Sequence, residues 1–162
     1  MVELADTTDL KSVGRKTVSV QVRLGALKEK EMFMSIKTWK EEFLSDIEES
    51  SKSELSAIEH GIKKYKGLSK KNLIKHNVSL QLYEKTKHYY LSDGIDYMYF
   101  GVTTCALCKR NWHNGCDNCT LSVIDKGCLS INSPWEILII KGQYYPLLVA
   151  LKDAKKYITK KG

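Results

Sequence analysis

The chain has 162 residues, of which 43% are hydrophobic and 28% are charged, and these values are typical of one globular domain. Its apolar stretches, such as Ile137–Ile140, are far shorter than the roughly 20 residues that cross a bilayer, and the acidic Glu3 and Asp6 argue against a secretory signal. We therefore expect a cytoplasmic protein with reduced thiols. The net charge of +7 permits nucleic-acid binding, but its lysine-dominated basic residues favour a solvated basic surface.

Residues 1–31 differ in character from the rest of the chain. Val18–Leu24 alternates between apolar and polar residues as a β-strand does, and a genuine N-terminal strand is one interpretation. Residues 1–28 also resemble a translated leucine tRNA gene. Asp9–Ser12 can be back-translated into an anticodon loop that carries TAA, and Val20–Val22 into the conserved TΨC-loop sequence. On this second interpretation, residues 1–31 form a non-native or disordered N-terminal extension.

Three helices are predicted in the next part of the chain. Apolar residues recur at helical spacing in Thr38–Ile47 and Ser53–Tyr65, and a shorter helix follows over Lys70–His76. Thr38 and Ser69 stand at helix starts, where a side-chain oxygen can accept a backbone hydrogen bond. The side chains expected to face the core are Trp39, Phe43, Ile47, Leu55, Ile58, Ile62, Tyr65, Leu73 and Ile74.

A β-hairpin and two further helices are predicted on either side of the cysteines. His88–Leu91 and Ile95–Phe100 are rich in aromatic residues and flank a Ser-Asp-Gly turn. After the cysteines, a Ser-Pro-Trp-Glu sequence is typical of a helix start, and that helix should span residues 133–141 and stop at Gly142. A final amphipathic helix is predicted over residues 145–160.

The most informative segment contains two Cys-x2-Cys pairs separated by seven residues. Each pair can form a knuckle, which is a tight turn that directs two thiolates at one ion, and tetrahedral sulfur ligation suits Zn²⁺. Four ligands leave no open coordination position, which indicates a structural metal. The predicted ligands are Cys105, Cys108, Cys116 and Cys119.

Several features of this metal site stay open. An iron–sulfur cluster is the main chemical alternative, because it also uses cysteine thiolates. Cys128 or His113 could replace one of the four ligands. Lys109 and Arg110 are expected to balance the negative charge of the thiolates. Together these elements predict an α+β fold over residues 32–162, a single zinc-stabilised domain with about five short helices and one β-hairpin.

The cysteine pattern also resembles that of a group of small phage and prophage proteins. It consists of Cys-x-Leu-Cys, then Cys-x-x-Cys-x-Leu, then one further Cys; these proteins also carry an early Trp-Lys-Glu-Glu-Phe, matched by Trp39–Phe43. The resemblance covers about residues 38–158. Many of those sequences have Pro where this chain has Thr120, a departure that touches no ligand. The resemblance implies a metal-bearing, phage-type protein in the cytoplasm of a bacterial host, and it implies no activity.

Three hypotheses for function follow. The first is an accessory protein that binds a host or phage macromolecule, with a protein favoured and exposed tyrosines supplying contact area. The second is a nucleic-acid-binding module with a basic face formed by Lys63, Lys64, Lys66, Lys70, Lys71 and Lys75. The third is an HNH-like nuclease. It is the least favoured, because no histidine follows the second cysteine pair, and we expect no enzyme activity.

Overall fold

The computed structural model describes residues 35–161, and the predictions for residues 1–31 lie outside that range. Within it, the chain forms eight α-helices and one three-stranded antiparallel sheet, which confirms the predicted α+β class. The helices are α1 (Ile36–Phe43), α2 (Ile47–Ser50), α3 (Glu54–Lys66), α4 (Lys70–Lys75), α5 (Ala106–Asn111), α6 (Thr120–Val123), α7 (Pro134–Lys141) and α8 (Tyr145–Lys161). The strands are β1 (Ser79–Tyr83), β2 (His88–Ser92) and β3 (Tyr97–Met98).

Helix α1 begins earlier and ends sooner than the sequence predicted. Its cap is Ser35, whose hydroxyl accepts a first-turn N–H at 3.2 Å, while Thr38 accepts the N–H of Ser35 and completes a capping box. The helix ends at Phe43, and Asp46 follows with a left-handed φ of 64°. The prediction of one continuous helix over Thr38–Ile47 was therefore wrong, because this bend separates α1 from α2.

The core is built around the packing of α3 against α8. Ala57 and Ile58 on α3 are fully buried, and Leu151 on α8 is 2% exposed. A Cβ atom at Gly61 would lie 3.1 Å from the Leu151 side chain, so this glycine lets the two helices approach closely. Trp39 of α1 is also fully buried, and its indole N–H donates to the carbonyl of the residue that follows α3 at 2.9 Å.

Two predicted core positions face solvent. Leu55 is 36% exposed and Ile74 is 70% exposed. On α3 the buried face is centred on Ala57, Gly61 and Lys64, which are spaced for one helical face, so Leu55 lies beside that face. Helix α4 has only six residues and buries none of its side chains fully, which leaves Ile74 outside the core.

The predicted hairpin is present as β2 and β3, and β1 adds a third strand on the other side of β2. Its second strand is short, since only Tyr97 and Met98 pair with β2. The turn between these strands reaches the start of α1, where the Asp93 carboxylate accepts the N–H of Ile36 at 3.0 Å. One face of the sheet packs against α7. The hairpin therefore caps a helix that lies far from it in sequence.

The two last helices match the sequence closely. Ser133 caps α7 by accepting the N–H of Glu136 at 3.1 Å, and Gly142 ends the helix with a left-handed φ of 67°. Helix α8 runs one residue beyond its predicted end, to Lys161. None of the helices in residues 35–161 combines the length and apolarity that a bilayer crossing needs.

Candidate metal centre

The five cysteines come from three neighbouring segments of the chain, and all are free thiols. Cys105 precedes α5 and Cys108 lies within it. Cys116 begins a short 3-10 turn, and Cys119 stands between that turn and α6. Cys128 belongs to the loop that joins α6 to α7.

Two of the thiols lie where backbone N–H groups can stabilise negative charge. Cys105 is the N-terminal cap of α5, and its sulfur accepts the N–H of Cys108 at 3.5 Å. Cys119 holds the same position before α6 without a side-chain cap hydrogen bond, and the N–H groups of Leu121 and Ser122 only partly offset the rise in the pKa of its thiol on burial. The first turn of α5 thus supplies an N–H donor to the sulfur of Cys105.

The thiols surround two adjoining cavities of about 180 and 370 Å³. Cys108, Cys116 and Cys128 line both, while Cys119 lines the smaller cavity and Cys105 the larger. The fold therefore brings all four predicted ligands and Cys128 to one place. Within residues 35–161, no three His, Cys, Asp or Glu side chains are already arranged as a group that could hold a metal ion.

The thiols also differ in their readiness to ionise. A hydrogen bond with Cys108 lowers the pKa of the Cys105 thiol to about 6, and the nearby Lys64 acts in the same direction. The same hydrogen bond raises the pKa of Cys108, and burial raises the pKa of Cys119. Burial also raises the pKa of Cys128 to about 12. Cys105 is therefore the thiol most prepared to act as a thiolate ligand.

A buried lysine lies beside this cluster. Lys64 of α3 is fully buried, and its ammonium donates to the carbonyl and hydroxyl oxygens of Thr104 at 2.7 and 2.9 Å. It also lies 4.9 and 5.6 Å from the ring centroids of Tyr65 and Phe100. Burial lowers its pKa to about 8, and the charge of Cys105 opposes that effect. No ion pair among the described residues includes this ammonium.

The sequence did not single out Lys64 as the cation near the thiols. Lys109, which was expected there, pairs with Glu48, and Arg110 donates to the carbonyl of Lys52 at 2.7 Å. Both side chains thus link α5 to the segment around α2 instead of balancing the cysteines. The signal that could have found Lys64 is its helical spacing, because it follows Ala57 and Gly61 on the buried face of α3.

His113 is less well placed than Cys128 to complete the site. It is exposed and lines a separate cavity with Lys109 and Trp112, which contains none of the cysteines. Cys128 borders both cysteine cavities, and its carbonyl accepts the hydroxyl of the α7 cap, Ser133, at 2.9 Å. Of the two predicted substitutes, the structure therefore brings only Cys128 into the cluster.

The predicted basic face needs one correction. Lys64 is buried and cannot contact a phosphate on the surface. Lys63 donates to Ser45 at 3.3 Å, and Lys75 pairs with Glu42. The five lysines of the predicted face that remain exposed are Lys63, Lys66, Lys70, Lys71 and Lys75.

The histidines do not assemble the constellation that a nuclease needs. His76 is buried at the end of α4, where its ring nitrogens lie 2.9 Å from the Thr38 hydroxyl and 2.9 Å from the Glu42 carboxylate. The Thr38 hydroxyl also donates to the Ser35 carbonyl at 2.9 Å, so this chain of hydrogen bonds belongs to the start of α1. The four histidines lie on different parts of the chain: His60 on α3, His76 after α4, His88 on β2 and His113 after α5.

Comparisons with known proteins give no relative from which a role could be transferred. No protein family, curated protein or solved structure matches this sequence.

Proposed function

We propose that this protein is a zinc-stabilised, phage-type binding module that acts through its surface and is not an enzyme. Cys105, Cys108, Cys116 and Cys119 bind one structural Zn²⁺ in the reducing cytoplasm of a bacterial host, and Cys128 is the alternative fourth ligand. The observation that carries the proposal is the convergence of these five thiols on two adjoining cavities. A structural zinc site contributes directly to folding, because its ligands must be held together for the metal to bind.

The donor set fits zinc in charge as well as in chemistry. Four thiolates and one Zn²⁺ carry a net formal charge of about −2, which requires nearby cations or N–H donors. Lys64 supplies such a cation from the core, and an ammonium buried without a counter-charge costs several kcal/mol. The Cys108 N–H in the first turn of α5 supplies a donor to the sulfur of Cys105. The metal–thiolate group would therefore explain why a lysine is buried at this position.

The binding role follows from the kind of site that four sulfur ligands make. Zinc closed by four thiolates has no position for a substrate or a reactive water, so it supplies a cross-link and no Lewis-acid step. The partner is a macromolecule of the host or phage. The sequence favoured a protein partner, and this stays a prediction.

The proposal is tested by metal analysis of protein purified under reducing conditions. We expect one zinc per chain, colourless protein, and loss of that zinc in Cys108→Ser. Stoichiometric iron with visible absorption would instead indicate that the cysteines hold an iron–sulfur cluster. A protein that holds no metal after incubation with Zn²⁺ contradicts the proposal. Separate measurements of Cys116→Ser and Cys128→Ser identify the fourth ligand, because only the ligand variant should lose zinc affinity.

Lys64→Met gives an independent test, because it keeps the length and apolar stem of the side chain but removes its charge. With zinc bound, the substitution should weaken metal retention against a competing chelator by about tenfold or more. Lys63→Met on the same helix removes an exposed charge and is the matched control. Equal chelator resistance in the wild type and in Lys64→Met would show that the buried ammonium of Lys64 does not stabilise the metal site.

A further inference from the structure

The three strands have two chemically different faces. Residues directly opposite each other in an antiparallel sheet point to the same side. The pairs Leu80–Leu91 and Leu91–Met98 therefore share one face, which is the face that packs on the helices. The other face, which we call the tyrosine face, contains Tyr83, Tyr90, Tyr97 and Tyr99, together with Ser79, Gln81, His88 and Ser92.

The four tyrosine rings form a continuous cluster. Tyr90 lies at its centre, with ring centroids 6.4 Å from Tyr83, 6.0 Å from Tyr97 and 5.7 Å from Tyr99. The rings are tilted or edge-to-face, the arrangement that aromatic side chains prefer. Tyr97 and Tyr99 are nevertheless 60% and 45% exposed, so the cluster presents aromatic surface to solvent instead of burying it. A contiguous exposed patch of this kind is typical of a binding surface.

The polar residues on this face suit an anionic ligand. None of its eight residues carries a carboxylate that would repel a phosphate, and the His88 ring can donate a hydrogen bond. At the adjacent β1–β2 turn, Glu84 is paired with Lys87 and Lys85 is exposed. The whole chain has a net charge of +7. Aromatic side chains on an open sheet face, next to basic residues, can stack unpaired bases while cations follow the phosphates.

From this arrangement we infer that the tyrosine face binds single-stranded nucleic acid, with Tyr97 and Tyr99 stacking against bases. Duplex nucleic acid is not the ligand, because its bases are already stacked on each other and its edges do not present a flat ring to the tyrosines. The inference rests on the proposed binding role and gives it a nucleic-acid ligand in place of the protein partner that the sequence favoured, but it uses none of the cysteines. A peptide that packs between the tyrosine rings is the competing ligand, and the experiment separates the two.

The test measures fluorescence anisotropy of a labelled, mixed-sequence single-stranded DNA of about 15 nucleotides and of the matching RNA, at about 50 mM salt. Wild-type protein should bind at least one of them more tightly than the matching duplex. Tyr97→Ala and Tyr99→Ala should each weaken binding by about 5- to 100-fold, the range expected for loss of one stacked base. Tyr97→Phe should bind like the wild type, because it keeps the ring.

Tyr145→Ala is the matched control, because Tyr145 is 64% exposed at the start of α8, outside the cluster. It should leave binding unchanged. The inference is overturned if neither single strand binds, if the duplex binds as tightly, or if Tyr97→Ala and Tyr145→Ala behave alike. Displacement of the DNA by an uncharged tyrosine- and proline-rich peptide at similar concentration would assign the face to a peptide. Zinc content is measured on every sample, so failure of the metal proposal is seen separately from failure of this one.

Discussion

The cysteine segment, residues 102–133, and the helical scaffold around α3 and α8 are stabilised in different ways. The scaffold buries its apolar side chains: Ile58, Leu138 and Leu151 are at most 2% exposed. The cysteine segment forms only helices of four and six residues and two 3-10 turns. It leaves several large apolar side chains in solvent, namely Val102, Trp112, Val123, Leu129 and Ile131.

Because of this difference, a metal cross-link would stabilise the cysteine segment more than the scaffold. A helix as short as α5 or α6 cannot sustain itself in water, because few hydrogen bonds offset the entropy of its nucleation. Leu107 and Leu121 anchor the segment in the core, but they are only two of its large side chains. Under the proposal, the thiolates and zinc replace the apolar packing that the segment lacks.

The largest effect should come from zinc removal. A strong chelator should lower the free energy of unfolding by about 5 kcal/mol or more, because the metal's binding energy is also folding energy. Hydrogen exchange should show protection lost across residues 102–133 while the centres of α3 and α8 keep theirs. Equal loss in both regions would contradict the contrast between them, and unchanged exchange in residues 102–133 would show that no metal stabilises them.

The scaffold should instead be most sensitive to a large-to-small change in its core. Trp39→Ala removes a fully buried ring and its 2.9 Å hydrogen bond, so denaturant unfolding should show a loss of about 3–5 kcal/mol. Trp112→Ala in the cysteine segment is the matched control, because that ring is 65% exposed, and it should change stability by less than about 0.5 kcal/mol. Similar losses for both tryptophans would contradict the comparison.

Asp93 tests the connection between the sheet and α1. Burial would raise the pKa of its carboxyl group, but the N–H groups of Ile36, Asp96 and Ile95 hold that pKa below its ordinary value. The folded state therefore binds this proton less tightly than the unfolded state does. Its stabilising contribution is present above the unfolded pKa of about 4 and is lost as the pH falls through the folded value.

Asp93→Ala should accordingly cost about 1–2 kcal/mol near neutral pH, as expected for loss of a charged cap, and the difference from wild type should shrink below about pH 3. Thermal unfolding across this pH range measures both. Glu41→Ala, which removes an exposed carboxylate on α1 away from the turn, is the control. A difference that does not change with pH would show that the Asp93 charge does not stabilise the turn.

The smallest effect should come from Arg110. Its guanidinium donates to the carbonyl of Lys52 at 2.7 Å and so ties α5 to the loop before α3. Because this contact is exposed, Arg110→Ala should cost less than about 1 kcal/mol in chemical unfolding. A loss as large as that of Trp39→Ala would mean that this contact, and not the cysteine cluster, holds the segment to the scaffold.

Features that depend on neighbouring residues in sequence were the most predictable. The cap at Ser133 and the stop at Gly142 lie where predicted, because a cap needs only the residues of one turn. The hairpin turn was found from its Ser-Asp-Gly sequence for the same reason. The spacing of the cysteines predicted the four ligands, and these four line the two adjoining cavities together with Cys128, but metal binding by them stays a prediction.

Features that depend on distant parts of the chain were missed. The sequence predicted Lys64 as a surface cation. Its helical spacing after Ala57 and Gly61 indicates the buried face of α3, but only the tertiary structure brings the Thr104 oxygens that accept its hydrogen bonds inside the core. The sequence also predicted Thr38 as the N-terminal cap of α1. The cap is in fact Ser35, and the distant Asp93 carboxylate accepts a further N–H of the first turn. In both cases a tertiary contact determined the outcome, and such a contact has no signature in a single window of sequence.

The hydrogen bond from Ile36 to Asp93 also sets an order of events during synthesis. The two residues are 57 positions apart, so the ribosome finishes α1 long before it adds the residue that completes its first turn. An eight-residue helix is marginal on its own, and α1 gains its full stability only after the β2–β3 turn has emerged and folded. Trp39, which is fully buried, lies on this helix, so its final packing depends in part on a contact that forms only once residue 93 is in place.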